Sequence, residues 1–192
     1  MKNVKGTKTQ VNLMKAFAGE TQARTRYDYF ASAAGKEGFK QVEFIFSETA
    51  GQEKEHAKRL FRFMDGPANI EITAAFPAGP ERGTHQNLLD AASGEHYEYS
   101  EMYPEFAKIA DEEGFPEIAS AMRSIAVAEK FHEARYLGLA KNIKEGKVFK
   151  KDTEIVWRCR NCGYTHSSKE APGTCPACDH PQAHFEMLCV NW

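Results

Sequence analysis

Four stretches of the chain carry apolar residues at alternating steps of four and three, the spacing that lays one buried stripe along an α-helix. The second is the most regular, through Val42, Phe46, Thr49, Glu53, His56, Leu60 and Phe63. The fourth repeats it through Ile118, Met122, Ile125, Glu129, His132, Tyr136, Leu139 and Ile143. The first is looser (Leu13, Phe17, Glu20, Tyr27, Ala34), and the third runs Leu88, Ala92, Glu95, Met102, Phe106, Ile109. Gly35 to Gly38 separates the first stretch from the second, and Gly114 with Pro116 separates the third from the fourth, so each pair is expected to form an antiparallel hairpin with a short turn. A longer connection, Gly66 to Gly83, with prolines at 67, 77 and 80, joins the hairpins. A crossover of that length predicts a mainly α, ferritin-like four-helix bundle rather than a simple up-down one. After Gly146 the helical period stops and Lys147 to Trp157 mixes β-branched and charged residues. The chain therefore reads as a bundle over 1–146 and a small C-terminal domain over 147–192.

The two hairpins resemble each other. Gly19-Glu20 heads a stretch ending Glu37-Gly38-Phe39, and Gly94-Glu95 heads one ending Glu113-Gly114-Phe115, one residue longer. Each is followed by one E-x-x-H, at Glu53/His56 and at Glu129/His132. An internal duplication accounts for this better than coincidence.

Each stripe carries a carboxylate, which is costly, because a glutamate is almost never buried unless it is paired or bound to metal. Residues three apart share a helix face, so both E-x-x-H pairs point into the core, where Glu20 and Glu95 occupy the matching stripes. Arg24 lies only near the edge of its stripe, so the protein's own positive charge falls short and metal is the simplest remedy. Two divalent ions would nearly balance Glu20, Glu53, Glu95, Glu98 and Glu129. One glutamate from each of two helices with E-x-x-H from each of the others is the donor pattern of di-iron and di-manganese bundles, and carboxylate-rich sites with one imidazole per metal suit iron or manganese. Glu98 is surplus, since Ala23 stands at the equivalent place after Glu20. A site with seven candidate ligands can exchange one for another when its oxidation state changes. Tyr27 and Tyr103 fall one to two turns beyond Glu20 and Glu98 and are read either as hydrogen-bond donors to the ligand carboxylates or as ordinary core residues.

Cys159-x-x-Cys162 and Cys175-x-x-Cys178 can surround one tetrahedral ion with four thiolates, and the spacing leaves iron and zinc open. Cys189 has no partner in sequence and is expected to be a buried core thiol. His85, His96, His166, His180 and His184 show no ligand pattern and are read as structural or surface residues.

Composition then removes function classes. The chain of 192 residues has 25 Lys plus Arg against 27 Asp plus Glu, a net charge of −2, so no basic surplus is available for nucleic acid. The longest apolar runs, Ile125 to Ala128 and Met187 to Val190, are far shorter than the roughly 20 residues of a membrane span. With paired C-x-x-C motifs and no export signal, a reducing cytoplasm is the expected compartment.

In this order, Glu20, Glu53-x-x-His56, Glu95-x-x-Glu98, Glu129-x-x-His132, Cys159, Cys162-Gly-Tyr and Cys175-Pro-x-Cys178, the chain resembles the rubrerythrin family along nearly its whole length. That resemblance implies a ferritin-like di-iron domain followed by a rubredoxin-like iron domain, with two irons in the first and one in the second. It further implies a non-haem peroxidase that reduces hydrogen peroxide to water and protects against oxidative stress. Electrons would come from an external donor, such as a rubredoxin or an NAD(P)H-dependent reductase. The resemblance makes Glu53 and Glu129 bridging ligands, Glu20 and Glu95 terminal ones and His132 a ligand of the second iron. It makes Glu98 and His56 alternates on the first iron, and Tyr27 and Tyr103 hydrogen-bond donors to ligand glutamates. A homodimer or higher homo-oligomer is expected. One departure from many free rubredoxins is Asp179, where glycine commonly follows the last cysteine. The rival readings are a ferroxidase or iron-storage protein, a zinc ribbon on a scaffold bundle, and an oxygenase.

Overall fold

A computed structural model describes residues 3–191, apart from 65, 67 and 68. The chain folds into α1 (Lys8–Lys36), α2 (Lys40–Phe61), α3 (Thr84–Tyr97), a π-helical turn (Glu98–Met102), α4 (Tyr103–Glu112) and α5 (Pro116–Lys144). Three strands follow: β1 (Lys150–Cys159), β2 (Thr165–Glu170) and β3 (Phe185–Met187). The described part of residues 66–83 is an irregular and mostly exposed crossover. Among the described residues no helix is long and apolar enough to cross a membrane.

Local chemistry sets the helix ends. The Thr7 hydroxyl accepts the Gln10 N–H, capping the start of α1. At the tips of the two hairpins, Gly38 and Gly114 adopt positive φ. The next N–H turns back in each case, from Phe39 to Ala34 O at 2.9 Å and from Phe115 to Ala110 O at 2.7 Å. Each tip also caps the opposite hairpin. The Glu37 carboxylate accepts the Thr84 N–H at the start of α3, and Glu113 accepts the Lys8 and Thr9 N–H groups at the start of α1. A carboxylate at a helix N-terminus satisfies unpaired donors and complements the helix dipole. These reciprocal caps follow the internal repeat and tie its halves together.

The third amphipathic stretch is not one helix, as its stripe had implied. The π turn at Glu98–Met102 accommodates one extra residue. Because each residue turns a helix by about 100°, the buried face beyond it shifts to Tyr103, Ala107 and Ala110, leaving Phe106 and Ile109 half-buried. This explains the one-residue difference between the repeats: Tyr103 falls eight residues after Glu95, whereas Tyr27 falls seven after Glu20.

The bundle interior holds two apolar clusters. One contains Leu13, Leu60, Tyr103, Phe115, Ile118 and Met122; the other contains Tyr27, Phe30, Phe46, Leu88 and Tyr136. The buried glutamates belong to neither.

The C-terminal sheet is antiparallel in the order β2-β1-β3 and packs Trp157, Cys159, Ala171, Cys175 and Phe185 together. Trp157 is fully buried and donates its indole N–H to Ser168 O at 3.1 Å. This module rests on the start of α2, where Phe149 stacks on Phe39 with ring centroids 6.4 Å apart and the Arg160 guanidinium lies 4.1 Å from the Phe44 ring centroid. Two matching turns present the cysteines, with Gly163 N–H bonded to Cys159 O and Asp179 N–H to Cys175 O, both at 2.9 Å. Both turns need a left-handed residue, Gly163 at φ 81 and Asp179 at φ 58; aspartate is among the few L-residues that tolerate it.

A methyl group at Gly163 would meet no atom within 4 Å. Gly163→Ala should therefore cost only the left-handed backbone penalty, about 1–2 kcal/mol, with the four-cysteine site retained. Denaturant unfolding of the module, followed by Trp157 fluorescence, checks this.

Candidate metal centres

Two groups of side chains converge in the layer between the apolar clusters. Ligand atoms of Glu20, Glu53, His56 and Glu129 all lie within 4.8 Å of one another, as do those of Glu53, Glu95, Glu129 and His132. Glu53 and Glu129 belong to both groups. His56 Nδ1 stands 3.1 Å from Glu53 Oε2, 3.0 Å from Glu129 Oε1 and 3.7 Å from Glu20 Oε2. His132 Nδ1 stands 3.1 Å from Glu53 Oε1, 2.8 Å from Glu129 Oε2 and 3.4 Å from Glu95 Oε2. Each shared carboxylate thus offers one oxygen to each histidine, which is the arrangement of a carboxylate bridge. Every group supplies one nitrogen and three carboxylate residues.

The buried atoms bear out the fit to cations. Among the described residues, Glu20 Oε2, Glu53 Oε1, Glu95 Oε2, both Glu129 oxygens and His132 Nδ1 make no well-aligned hydrogen bond, only these close contacts between imidazole and carboxylate. Orphaned buried acceptors are rare because each costs its full desolvation, and here they face one another across ion-sized gaps. Their other atoms are held: Tyr27 donates its hydroxyl to Glu95 Oε1 and Tyr103 donates to Glu20 Oε1, a symmetric pair across the repeat. His132 Nε2 donates to Gln52 Oε1 at 3.0 Å, a contact that stripe analysis missed because Gln52 is an exposed residue off the stripe. Tyr136, fully buried, packs edge-on to Tyr27 at 5.5 Å between ring centroids.

Glu98 is also buried, on the π turn, but belongs to neither four-atom group. Burial, followed by the charges of Glu20 and Glu95, pushes its carboxyl well above the usual range. Its Oε1 lies against Gly19, the neighbour of Glu20 in α1, which makes it a spare carboxyl beside the cluster.

Without an ion, protons neutralise this layer. Burial raises Glu20 strongly and carries Glu95 up to about 8. Burial opposes a charge on His132, but the carboxylates of Glu129, Glu53 and Glu95 outweigh it and lift the imidazole to about 12. His56 is raised in the same way against its burial. Burial would raise Glu53 too, yet the His132 and His56 imidazoles, each 3.1 Å away, hold it at about 2.

In the C-terminal module the four sulfurs of Cys159, Cys162, Cys175 and Cys178 lie within 4.8 Å of one another. No disulfide links them; Cys159 and Cys178 Sγ are 3.8 Å apart, Cys162 and Cys175 Sγ 3.7 Å. The His180 N–H is the main influence that lowers the Cys178 thiol, to about 6. His180, read from sequence as a structural or surface residue, borders this site through its backbone N–H. His96 pairs with Glu133 at 3.0 Å on the surface. Cys189 corrects its expectation: it is exposed, because it follows β3 beyond the packed sheet.

This is a ferritin-like bundle with a carboxylate-bridged two-ion site, joined to a tetrathiolate module. The rubrerythrin family profile matches residues 12–140, and the rubredoxin-like domain of rubrerythrin matches residues 157–186. The chain is 59% identical over 192 residues to rubrerythrin of Nitratidesulfovibrio vulgaris, covering 100% of both. Among solved structures it resembles fully reduced, all-ferrous nigerythrin, with TM-score 0.65 and 31% identity over 97% of this chain and 92% of that one. It shares its bundle fold with a Mycobacterium tuberculosis bacterioferritin at TM-score 0.62 and 14% identity, over 71% of this chain and 86% of that one. The chain belongs to the rubrerythrin family, a family of oxidoreductases, and its two kinds of site imply iron in both.

The protonated site makes a signed prediction. Glu95 at about 8 and His132 at about 12 bind protons in the metal-free fold that the unfolded chain, with ordinary values near 4.3 and 6.5, releases. Their contribution is fully present below the unfolded values and is lost as pH rises through the folded ones. The melting temperature of the metal-free protein should therefore fall between pH 6 and 9, while iron uptake releases protons and tightens over the same range. Calorimetry of both forms checks this; a metal-free melting temperature that stays flat or rises would contradict it.

Proposed function

We propose that this protein is a non-haem di-iron peroxidase that reduces hydrogen peroxide to water, protecting the cell against oxidative stress. The observation that carries the reading is the pairing, within one chain, of a site able to hold two ions on shared carboxylates with a separate four-thiolate site. Glu20, Glu53, His56 and Glu129 would hold one iron, and Glu53, Glu95, Glu129 and His132 the other, with Cys159, Cys162, Cys175 and Cys178 around a third. When bound, a ferrous pair supplies the two electrons that peroxide consumes, and the tetrathiolate iron returns electrons singly.

Protein groups do the remaining work. Tyr27 and Tyr103 fix the terminal carboxylates Glu95 and Glu20 by hydrogen bonds, so that each keeps one oxygen free for an ion. Glu98 is a second carboxylate for the side of the site that His56 serves, allowing the ligand set to follow a change in charge. Apolar clusters flank the layer on either side, and His56 stands where it opens to solvent. The division at Gly146 separates the two-electron centre from the one-electron inlet. An external rubredoxin or NAD(P)H-dependent reductase would supply electrons, giving NADH peroxidase activity through a separate protein. A cytoplasmic homodimer is part of this reading. Iron oxidation for storage is the other function a ferritin-like site can serve, but it has no use for a dedicated thiolate inlet.

The test is anaerobic stopped-flow mixing of fully reduced protein with stoichiometric hydrogen peroxide. Rapid return of the ferric-thiolate absorption is expected; a return much slower than with oxygen plus ferrous iron would move storage ahead. Glu98→Ala should keep the bundle and the tetrathiolate iron while slowing peroxide turnover about 10–100-fold, the usual range for loss of a group supporting a metal site. Wild-type turnover in that variant would remove Glu98 from the machinery.

A further inference from the structure

The internal repeat makes departures from symmetry visible, and two of them concern the same half of the two-ion site. Glu53 pairs with Glu129, His56 with His132, and Tyr27 with Tyr103. Glu98 has no counterpart, because Ala23 stands in its place. The second departure lies one turn before each histidine, where α2 carries Gln52 and α5 carries Ala128.

Gln52 does not serve the histidine on its own helix. Its amide crosses to α5, and Oε1 accepts the Nε2–H of His132 at 3.0 Å. With an ion bound the imidazole is neutral and has one N–H, so this bond leaves the lone pair on Nδ1, the atom that faces Glu53, Glu95 and Glu129. By the symmetry of the repeat, the residue placed to reach the Nε2 of His56 is Ala128, whose methyl group accepts nothing. Among the described residues no hydrogen bond reaches His56 Nε2. The surroundings differ accordingly: the His132 side chain is 3% exposed and that of His56 17%. His56 also borders an open cavity of about 570 Å³, which Arg59, Glu117, Ser120 and Ser124 help to line, so its ring has room to turn.

We propose that Gln52 is a positioning residue that makes His132 the fixed imidazole of the site, and that alanine at 128 leaves His56 the movable one. The spare carboxylate Glu98 and the missing anchor fall on the same half. The Gln52/Ala128 difference thus determines which ion can change its protein ligand. This inference rests on the two-ion reading given above.

The experiment uses the iron-loaded, fully reduced full-length protein under anaerobic conditions. Proton NMR in water detects the iron-shifted ring N–H of each ligand histidine, and its exchange with solvent reports whether that N–H is held. Wild-type protein should show one protected and one rapidly exchanging N–H. Gln52→Ala should lose the protected signal and weaken one bundle ion about 10–100-fold against a competing chelator, with the tetrathiolate iron unchanged. Gln52→Glu, which keeps an acceptor oxygen, should restore protection. Ala128→Gln should protect the second N–H as well. Equal exchange of the two N–H signals in wild type, or a protected signal that survives Gln52→Ala, would overturn the inference while leaving two ions in place. Fewer than two bundle ions per chain would overturn it together with the reading on which it rests.

Discussion

The structure turns on one expensive layer: five glutamates and two histidines set in the middle of a helical bundle, all but His56 fully or nearly fully buried. An isolated buried carboxylate is among the least favourable groups in a protein interior. Here the cost is met collectively, by cations when ions are present and by protons when they are not. The same layer divides the apolar core in two, so neither cluster runs the length of the bundle. Metal binding and folding free energy are therefore linked through one set of side chains.

Two similar hairpins supply most of that layer. A hairpin that offers one terminal glutamate, one E-x-x-H and one tyrosine cannot satisfy its own buried carboxylate, but two copies related by a pseudo-twofold can. Each tyrosine reaches across to the other copy's glutamate, and each hairpin tip caps the other copy's first helix. The symmetry is broken at Glu98, whose counterpart in the other hairpin is Ala23. The extra residue absorbed by the π turn sits where Glu98 enters the layer. π turns of this kind cluster at functional sites because they re-aim side chains without ending the helix.

The four-cysteine module solves a different problem. Its core is only a handful of side chains around Trp157, too small to be stable by apolar burial alone, and four thiolates on one ion provide the missing cross-link. Its aromatic and cation–π contacts with the first turns of α2 set it against the bundle.

Much of this was legible in the chain because helical and C-x-x-C spacings are local. The four amphipathic stretches, the long crossover, the position of each carboxylate on its stripe and the four cysteines are all written at separations of three, four or a few tens of residues. Four things required the tertiary structure. The π turn moved the buried face from Phe106 and Ile109 to Tyr103, Ala107 and Ala110, which no period-based reading can anticipate, since a π turn is stabilised by the packing it allows. Gln52 joined the site from an exposed position by reaching across to another helix. Cys189 emerged in solvent because only the strand pairing shows where the small sheet ends. Glu98 was identifiable as surplus, but that it lies outside both four-atom groups yet beside them depends on distances between helices. Sequence determines which face of each element is buried; where atoms from different elements meet is decided by how those faces pack.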